Sequence, residues 1–175
     1  NVENAIEVNA VTLTLEGAGI FNSPMALTGA TLAVNDNLIL PGALSFSGEC
    51  TLQVAAGSTL TLGQAQRYSI AGEFLSLSVD GNIVFSDPES GFELNTPQSK
   101  LDHAGTGSIE RVFVAADPQP GRGLSQSGTG SFAYLVLLSD TTLAVAGAGF
   151  NVENAIEVNA VTLTLEGAGI FNSPM

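Results

Sequence analysis

The sequence predicts an all-β protein, a parallel β-solenoid (β-helix) with coils of about 20 residues. Three observations predict it. Short segments alternate apolar with small or polar residues and are closed by Gly, Asn or Asp, whereas no stretch carries a helical period. The pattern Thr-Leu-x-Val/Leu recurs as TLTL (12–15), TLAV (31–34), TLQV (51–54), TLTL (59–62), TLAV (142–145) and TLTL (162–165), with Thr12 to Thr31 spanning 19 residues and Thr31 to Thr51 and Thr142 to Thr162 each 20. Residues 1–25, NVENAIEVNAVTLTLEGAGIFNSPM, return unchanged as residues 151–175. The alternative is a tandem β-sandwich of Ig-like repeats, with antiparallel hairpins and turns roughly every 8–12 residues. A sandwich predicts no constant phase near 20 residues and predicts a break between units; neither is present in the pattern.

The outer repeat divides the chain. Solvent-facing positions would drift if only core positions were constrained, so 25 identical residues point to duplication. Residues 1–150 read as one complete unit and 151–175 as the start of the next. The inner period crosses that junction. TLAVAGAGFNVENAIEVNAV (142–161) and TLTLEGAGIFNSPMALTGA (12–30) place Gly-Ala-Gly and then Phe-Asn at nearly one phase, in AGAGFN (146–151) and EGAGIFN (16–22).

Along the unit, LSFS (44–47), TLQV (51–54), TLTL (59–62), YSIA (68–71), LSLSV (75–79) and IVFS (83–86) follow as alternating strands, one face in and one face out. Two segments, 86–107 and 116–130, are rich in Gly, Pro, Ser and Asp and read as loops that leave the coil. SIERVFVAAD (108–117) and FAYLVLLSD (132–140) return to strand character. At one coil per strand spacing, roughly seven coils give a rise of roughly 35 Å per unit.

Composition bounds the function. The net charge is −13, from 17 acids against Lys100, Arg67, Arg111 and Arg122. Nucleic acid and anionic membrane both demand clustered cations, so neither is expected as a partner. The longest apolar run, FAYLVLL (132–138), is too short to span a bilayer. No basic segment followed by an apolar core opens the chain, so any export signal is expected to lie outside these residues. Cys50 is the one cysteine, in the alternating ECTLQV, and reads as a small apolar core residue.

The coils with Gly/Asn turns, GATLAVNDNLILPGALSFSGECTLQVAAGSTLTLG (29–63), resemble passenger regions of autotransporters and filamentous-haemagglutinin-type adhesins. Those families form right-handed parallel β-helices on bacterial surfaces. The resemblance covers residues 1–63 and 131–150, is periodic and compositional, and carries no catalytic residue. Long identical repeats are similar to those of giant surface adhesins and stalks. The resemblance implies an extracellular or cell-surface fibre or stalk, acting as a rigid spacer or self-stacking filament. Its expected partner is itself, end to end through neighbouring repeats, with a glycan or cell-surface protein as a further candidate.

Chemistry has few candidates. β-helices that cleave pectin need converging carboxylates; Asp80, Asp87, Glu89, Glu93 and Asp102 are the acids on offer, and turns favour Asp anyway. His103 is the one histidine, is expected in a loop, and no GxSxG elbow supports a triad. Zinc would need more His and Cys. No cofactor is expected, with calcium as the exception: the turns VNDN (34–37) and SDPES (86–90) offer oxygen ligands from Asp36, Asp87 and Glu89. An isopeptide cross-link would have to use Lys100, the one lysine. Outward threonines at 12, 14, 59 and 61 would suit ice binding, but Ala33, Gln53 and Ala144 interrupt the array. The chain therefore reads as non-enzymatic, with no catalytic or cofactor-binding residue assigned. The rival functions are a glycan- or protein-binding module using loops 86–107 and 116–130 and a carbohydrate-active β-helix enzyme.

Overall fold

A computed structural model describes residues 5–144, 149–159, 161–167 and 169–174. The described chain is all-β, a parallel β-solenoid of about seven turns with strands stacked about 22 residues apart. Every strand pairing in it is parallel, which excludes the hairpins of a sandwich.

Each coil lays down three strands, one on each face. The first three coils are regular: β1 (Ile6–Asn9), β2 (Thr12–Leu15) and β3 (Gly19–Ile20); β4 (Met25–Thr28), β5 (Thr31–Val34) and β6 (Leu38–Leu40); β7 (Leu44–Ser47), β8 (Glu49–Val54) and β9 (Thr59–Leu62). Next come β10 (Arg67–Ser69), β11 (Phe74–Val79) and β12 (Asn82–Phe85), then β13 (Gly91–Leu94), β14 (Lys100–His103) and β15 (Ser108–Val114). The last are β16 (Gly123–Gln126), β17 (Ser131–Leu137), β18 (Thr141–Ala144), β19 (Phe150–Val158), β20 (Leu163–Glu166) and β21 (Phe171–Asn172). Strands β15, β17 and β19 each turn a corner. Ser108 and Ile109 of β15 pair with β12, while Val112–Val114 pair with β13.

The second face shows why the sequence folds this way. Thr12 lies opposite Thr31, Thr31 opposite Thr51, Thr51 opposite Ser76, Ser76 opposite Asp102 and Asp102 opposite Ser125. This outward column stays small and polar. One residue further on, Leu13, Leu32, Leu52, Leu77, His103 and Gln126 stack inward. A one-residue slip would turn every leucine outward, so the alternation fixes the register. Leu32, Leu52 and Leu77 are fully buried, and such side chains stabilise by about 1.5–3 kcal/mol each. The third face supplies the opposing wall, Leu38, Leu60, Ile83, Ile109, Phe132 and Val152 in register.

The segments expected to be loops are mostly coil. β13 and β14 lie within 86–107 and β16 within 116–130. Their Gly, Pro and Ser content belongs to the corners, where consecutive coils touch backbone to backbone. A Cβ on Gly107 would lie 1.7 Å from the Gly81 carbonyl oxygen, and one on Gly130 would lie 2.2 Å from that of Gly107. Only glycine permits that approach. The coils therefore lengthen to the 25-residue step from Thr51 to Ser76 and the 26-residue step from Ser76 to Asp102, yet keep their phase.

One further expectation changes in detail. Thr142 pairs with Thr164, two residues beyond the expected Thr162. A shift of two preserves the facing, so Leu143 still meets Leu165 on the inner side. The junction at 150/151 lies inside β19, with Phe150 and Val152 both buried in the core, so the two parts of the outer repeat are joined by a strand. Residues 145–148, which hold Val145 of TLAV and most of the Gly-Ala-Gly at 147–149, lie outside the described residues.

Candidate functional site

Strand β14 decides the chemistry of the candidate acids. Neighbouring strand residues face opposite sides, so Asp102 points outward and His103 inward. His103 is fully buried, edge-on to Phe132 at 5.4 Å between ring centres, and neither ring nitrogen has a hydrogen-bond partner. Burial pushes its pKa below the ordinary histidine value, opposed by the neighbouring Val79 carbonyl, which falls outside hydrogen-bonding geometry, and by the charges of Asp102 and Asp80. The ring occupies the space that Gly130 leaves open: a Cβ there would lie 2.4 Å from His103 Cε1. His103 is thus a core residue of a strand, where the sequence placed it in a loop. Asp102 meanwhile accepts a hydrogen bond from Ser125 Oγ at 2.8 Å and another from Ser127 Oγ at 2.5 Å. Serine, histidine and aspartate are close in space, but the sheet separates the ring from the other two, so no triad forms.

The remaining acids are dispersed. Asp80 sits at the corner after β11, where its carboxylate caps Thr106 through the backbone N–H and the hydroxyl, both at 3.0 Å. Glu93 is outward on the first face and paired with Arg67 at 2.8 Å. The calcium candidates fall in two corners. Asp36 Oδ1 accepts from the Asn37 N–H at 3.0 Å, and Asp87 Oδ1 accepts from the Glu89 N–H at 2.8 Å. Both are local turn bonds, the usual work of Asp at such positions. Among the described residues no group of three or more His, Cys, Asp or Glu side chains could hold a metal ion. Cys50 is buried, its Sγ near the carbonyls of Ser47 and Leu27 at 3.3 and 3.5 Å.

The cations are grouped, which the sequence pattern alone did not anticipate. Arg67 stacks over Phe113 at 4.1 Å, and Arg111 over Tyr134 at 5.1 Å while its Nη1 donates to the Ser90 carbonyl at 3.3 Å. Both line one groove on the first face, with Pro88, Glu89, Val136 and Glu157. Lys100 sits over Phe74 at 5.0 Å and joins Arg122, Pro118, Gln119 and Glu166 along a second groove. The signal lay in the strand alternation: Lys100 and Arg111 are outward strand positions directly opposite an outward aromatic one coil away, Phe74 and Tyr134, whereas Arg67 lies opposite Gly91 and reaches Glu93 on the diagonal.

The aromatic column at the C-terminal end was also missed. Phe132, Phe150 and Phe171 stack with ring centres 5.3 and 5.8 Å apart. Asn172 Nδ2 donates to Asn151 Oδ1 at 2.9 Å, one step of an asparagine ladder. The recurrent Phe-Asn in the duplicated segment was its trace. No helix of the described residues is long and apolar enough to cross a membrane. No protein-family profile, curated protein or solved structure matches the chain.

Proposed function

We propose that this chain is a structural repeat of an extracellular or cell-surface fibre, stalk or large adhesin, a rigid spacer that lengthens by adding units. The observation that carries this reading is β19, which takes the backbone through the junction between the two parts of the repeat without leaving the core. A solenoid with no linker between units adds length and no hinge. The surface location rests on the resemblance of residues 29–63 to surface β-helices. The outward columns of Thr, Ser and Asp and the net charge of −13 keep such a rod solvated. A non-catalytic role is supported by the dispersal of the carboxylates and by the sheet between His103 and Asp102.

The test is length. A chain extended by another 150 residues should gain roughly 35 Å in maximum dimension in small-angle scattering, at unchanged cross-section. A gain well below that, or scattering from beads on a flexible string, overturns the reading. A second reading, a binding module, is favoured by the gathering of four cations into two grooves on an otherwise acidic protein. Binding on a glycan array that is lost in Lys100→Ala/Arg122→Ala supports it, and a blank array removes it.

A further inference from the structure

The four cations of the chain are not equally free. Arg67 is paired with Glu93 at 2.8 Å, and Arg111 donates to the Ser90 carbonyl and lies 3.9 Å from Glu110. Lys100 and Arg122 form no ion pair among the described residues, although the chain carries 17 acids. These two share one groove, of about 490 Å³. The coils build their pairing. Lys100 lies opposite Phe74 in one neighbouring coil and opposite Gly123 in the other. Phe74 supports the ammonium from one side at 5.0 Å, whereas Gly123 has no side chain and leaves the other side open. Arg122 immediately precedes Gly123, so its backbone is held one coil and one residue from that of Lys100. The turn that carries it is braced. The Gln119 N–H donates to the Pro97 carbonyl at 2.9 Å, the Arg122 N–H to the Gln119 carbonyl at 2.9 Å and the Gly123 N–H to the Ser99 carbonyl at 2.8 Å. Gly123 has φ 86°, and a Cβ on it would lie 2.7 Å from Pro118 Cβ, so glycine is what lets the turn fold against the strand.

From this arrangement we infer that the Lys100–Arg122 groove binds an acidic saccharide, with its carboxylate or sulfate seated between the two cations. The inference rests on the binding-module reading and gives it a site and a ligand class. The anion follows from the charges. Arg122 offers a planar fork of N–H donors that matches a carboxylate or sulfate, and Lys100 adds a point charge beside it. Asp102, the acid of the same strand, is engaged by the Ser125 and Ser127 hydroxyls. The sugar follows from the rest of the lining. Pro118 and Pro120 present apolar rings to C–H faces, and the Gln119 amide and the Glu166 carboxylate can bond hydroxyls. Glu166 lies on β20, so it stands further along the axis than the coil of Arg122. There it accepts hydroxyl protons and repels a second anion. A ligand charged on every unit, such as nucleic acid, is therefore disfavoured, as it is by the net charge of −13. A groove of this volume lies within the range of small-ligand sites, about 300–1,000 Å³. The first-face groove lacks these features: its arginines are already engaged, and Glu89 and Glu157 line it.

The test is calorimetric titration of the full 175-residue chain with trisaccharides of one backbone that end in glucuronate, in sulfated glucose or in plain glucose. At least one acidic form should bind and the uncharged form should not; which acidic form binds identifies the anion. Lys100→Ala and Arg122→Ala should each weaken binding about tenfold or more, and added salt should weaken it further. Arg122 is exposed and Lys100 half-buried, so circular dichroism should show both variants folded. Arg67→Ala, in the other groove, should leave the affinity unchanged. Equal binding of the uncharged sugar overturns the inference, as does acidic binding that survives Lys100→Ala/Arg122→Ala; either result leaves the binding-module reading standing. Silence from all three sugars overturns it too, and a blank glycan array beside that silence removes the binding-module reading with it.

Discussion

His103 gives the fold a measurable pH dependence. It is the one histidine of the chain, it is fully buried, and its ring nitrogens have no hydrogen-bond partner. The unfolded chain exposes the ring at its ordinary pKa of about 6.5. The folded chain holds it below that value, mainly through burial. Above the unfolded pKa both states are neutral there and full stability is present. As pH falls through that pKa the unfolded state alone takes up the proton, and stability drops until the folded ring protonates too. For one such group, moving from pH 7.5 to 5.5 costs up to about 1.4 kcal/mol. Whatever the other titrating groups contribute is common to the natural chain and to one lacking the ring, so comparing the two isolates His103. The assay is denaturant unfolding of the natural chain and of His103→Leu at the two pH values. Leucine suits the site, since the column beneath is Leu32, Leu52 and Leu77. The natural midpoint should fall further on acidification than that of His103→Leu. Equal shifts in both chains would refute the reasoning, because the ring would then be solvated or paired in the folded state.

Other perturbations separate core, corner and surface. Leu52→Ala removes the middle of the leucine column and should cost about 2–5 kcal/mol in denaturant unfolding, because coils on both sides prevent collapse of the cavity. Gly107→Ala drives a methyl into the Gly81 carbonyl and should cost about 3 kcal/mol or more, whereas Gly57→Ala, at φ 78° in open space, should cost only about 1–2 kcal/mol, read as midpoint shifts in one assay. Arg67→Ala removes a partly exposed ion pair with Glu93 and the stack over Phe113; a loss of about 1 kcal/mol or less, smaller still in high salt, is expected from the same titration.

The regular coils were legible because their chemistry is periodic. Thr12, Thr31 and Thr51 share a phase in the sequence and stand opposite one another in space. The middle coils hid theirs. From Thr51 to Ser76 to Asp102 the steps grow to 25 and 26 residues, so a search near 20 passes over them. A longer trace was nevertheless present. HAGTGSIERVFVAAD (103–117) and QSGTGSFAYLVLLSD (126–140) align at 23 residues, and the ladder pairs Ser108 with Ser131, Ile109 with Phe132 and Val114 with Leu137 at that spacing. Gly and Ser there suggested loops, because composition does not distinguish a flexible turn from a corner where two backbones touch. Nor does it show which way a residue faces. The strand parity of KLDH would have turned His103 inward with Leu101, but the segment had first to be recognised as a strand. The cation–aromatic grooves lay further from view, since Arg67 meets Phe113 across two coils of unequal length.

The central claim is that chemically similar residues stack in parallel register along one axis. Long-range backbone NOEs in the isotope-labelled 175-residue chain test it most directly. Parallel stacking predicts Hα-to-amide contacts between strands that link Thr31 with Thr51, Thr51 with Ser76, Ser76 with Asp102, and Asp102 with Ser125. Close Hα–Hα contacts between consecutive strands, the mark of antiparallel hairpins, would contradict it.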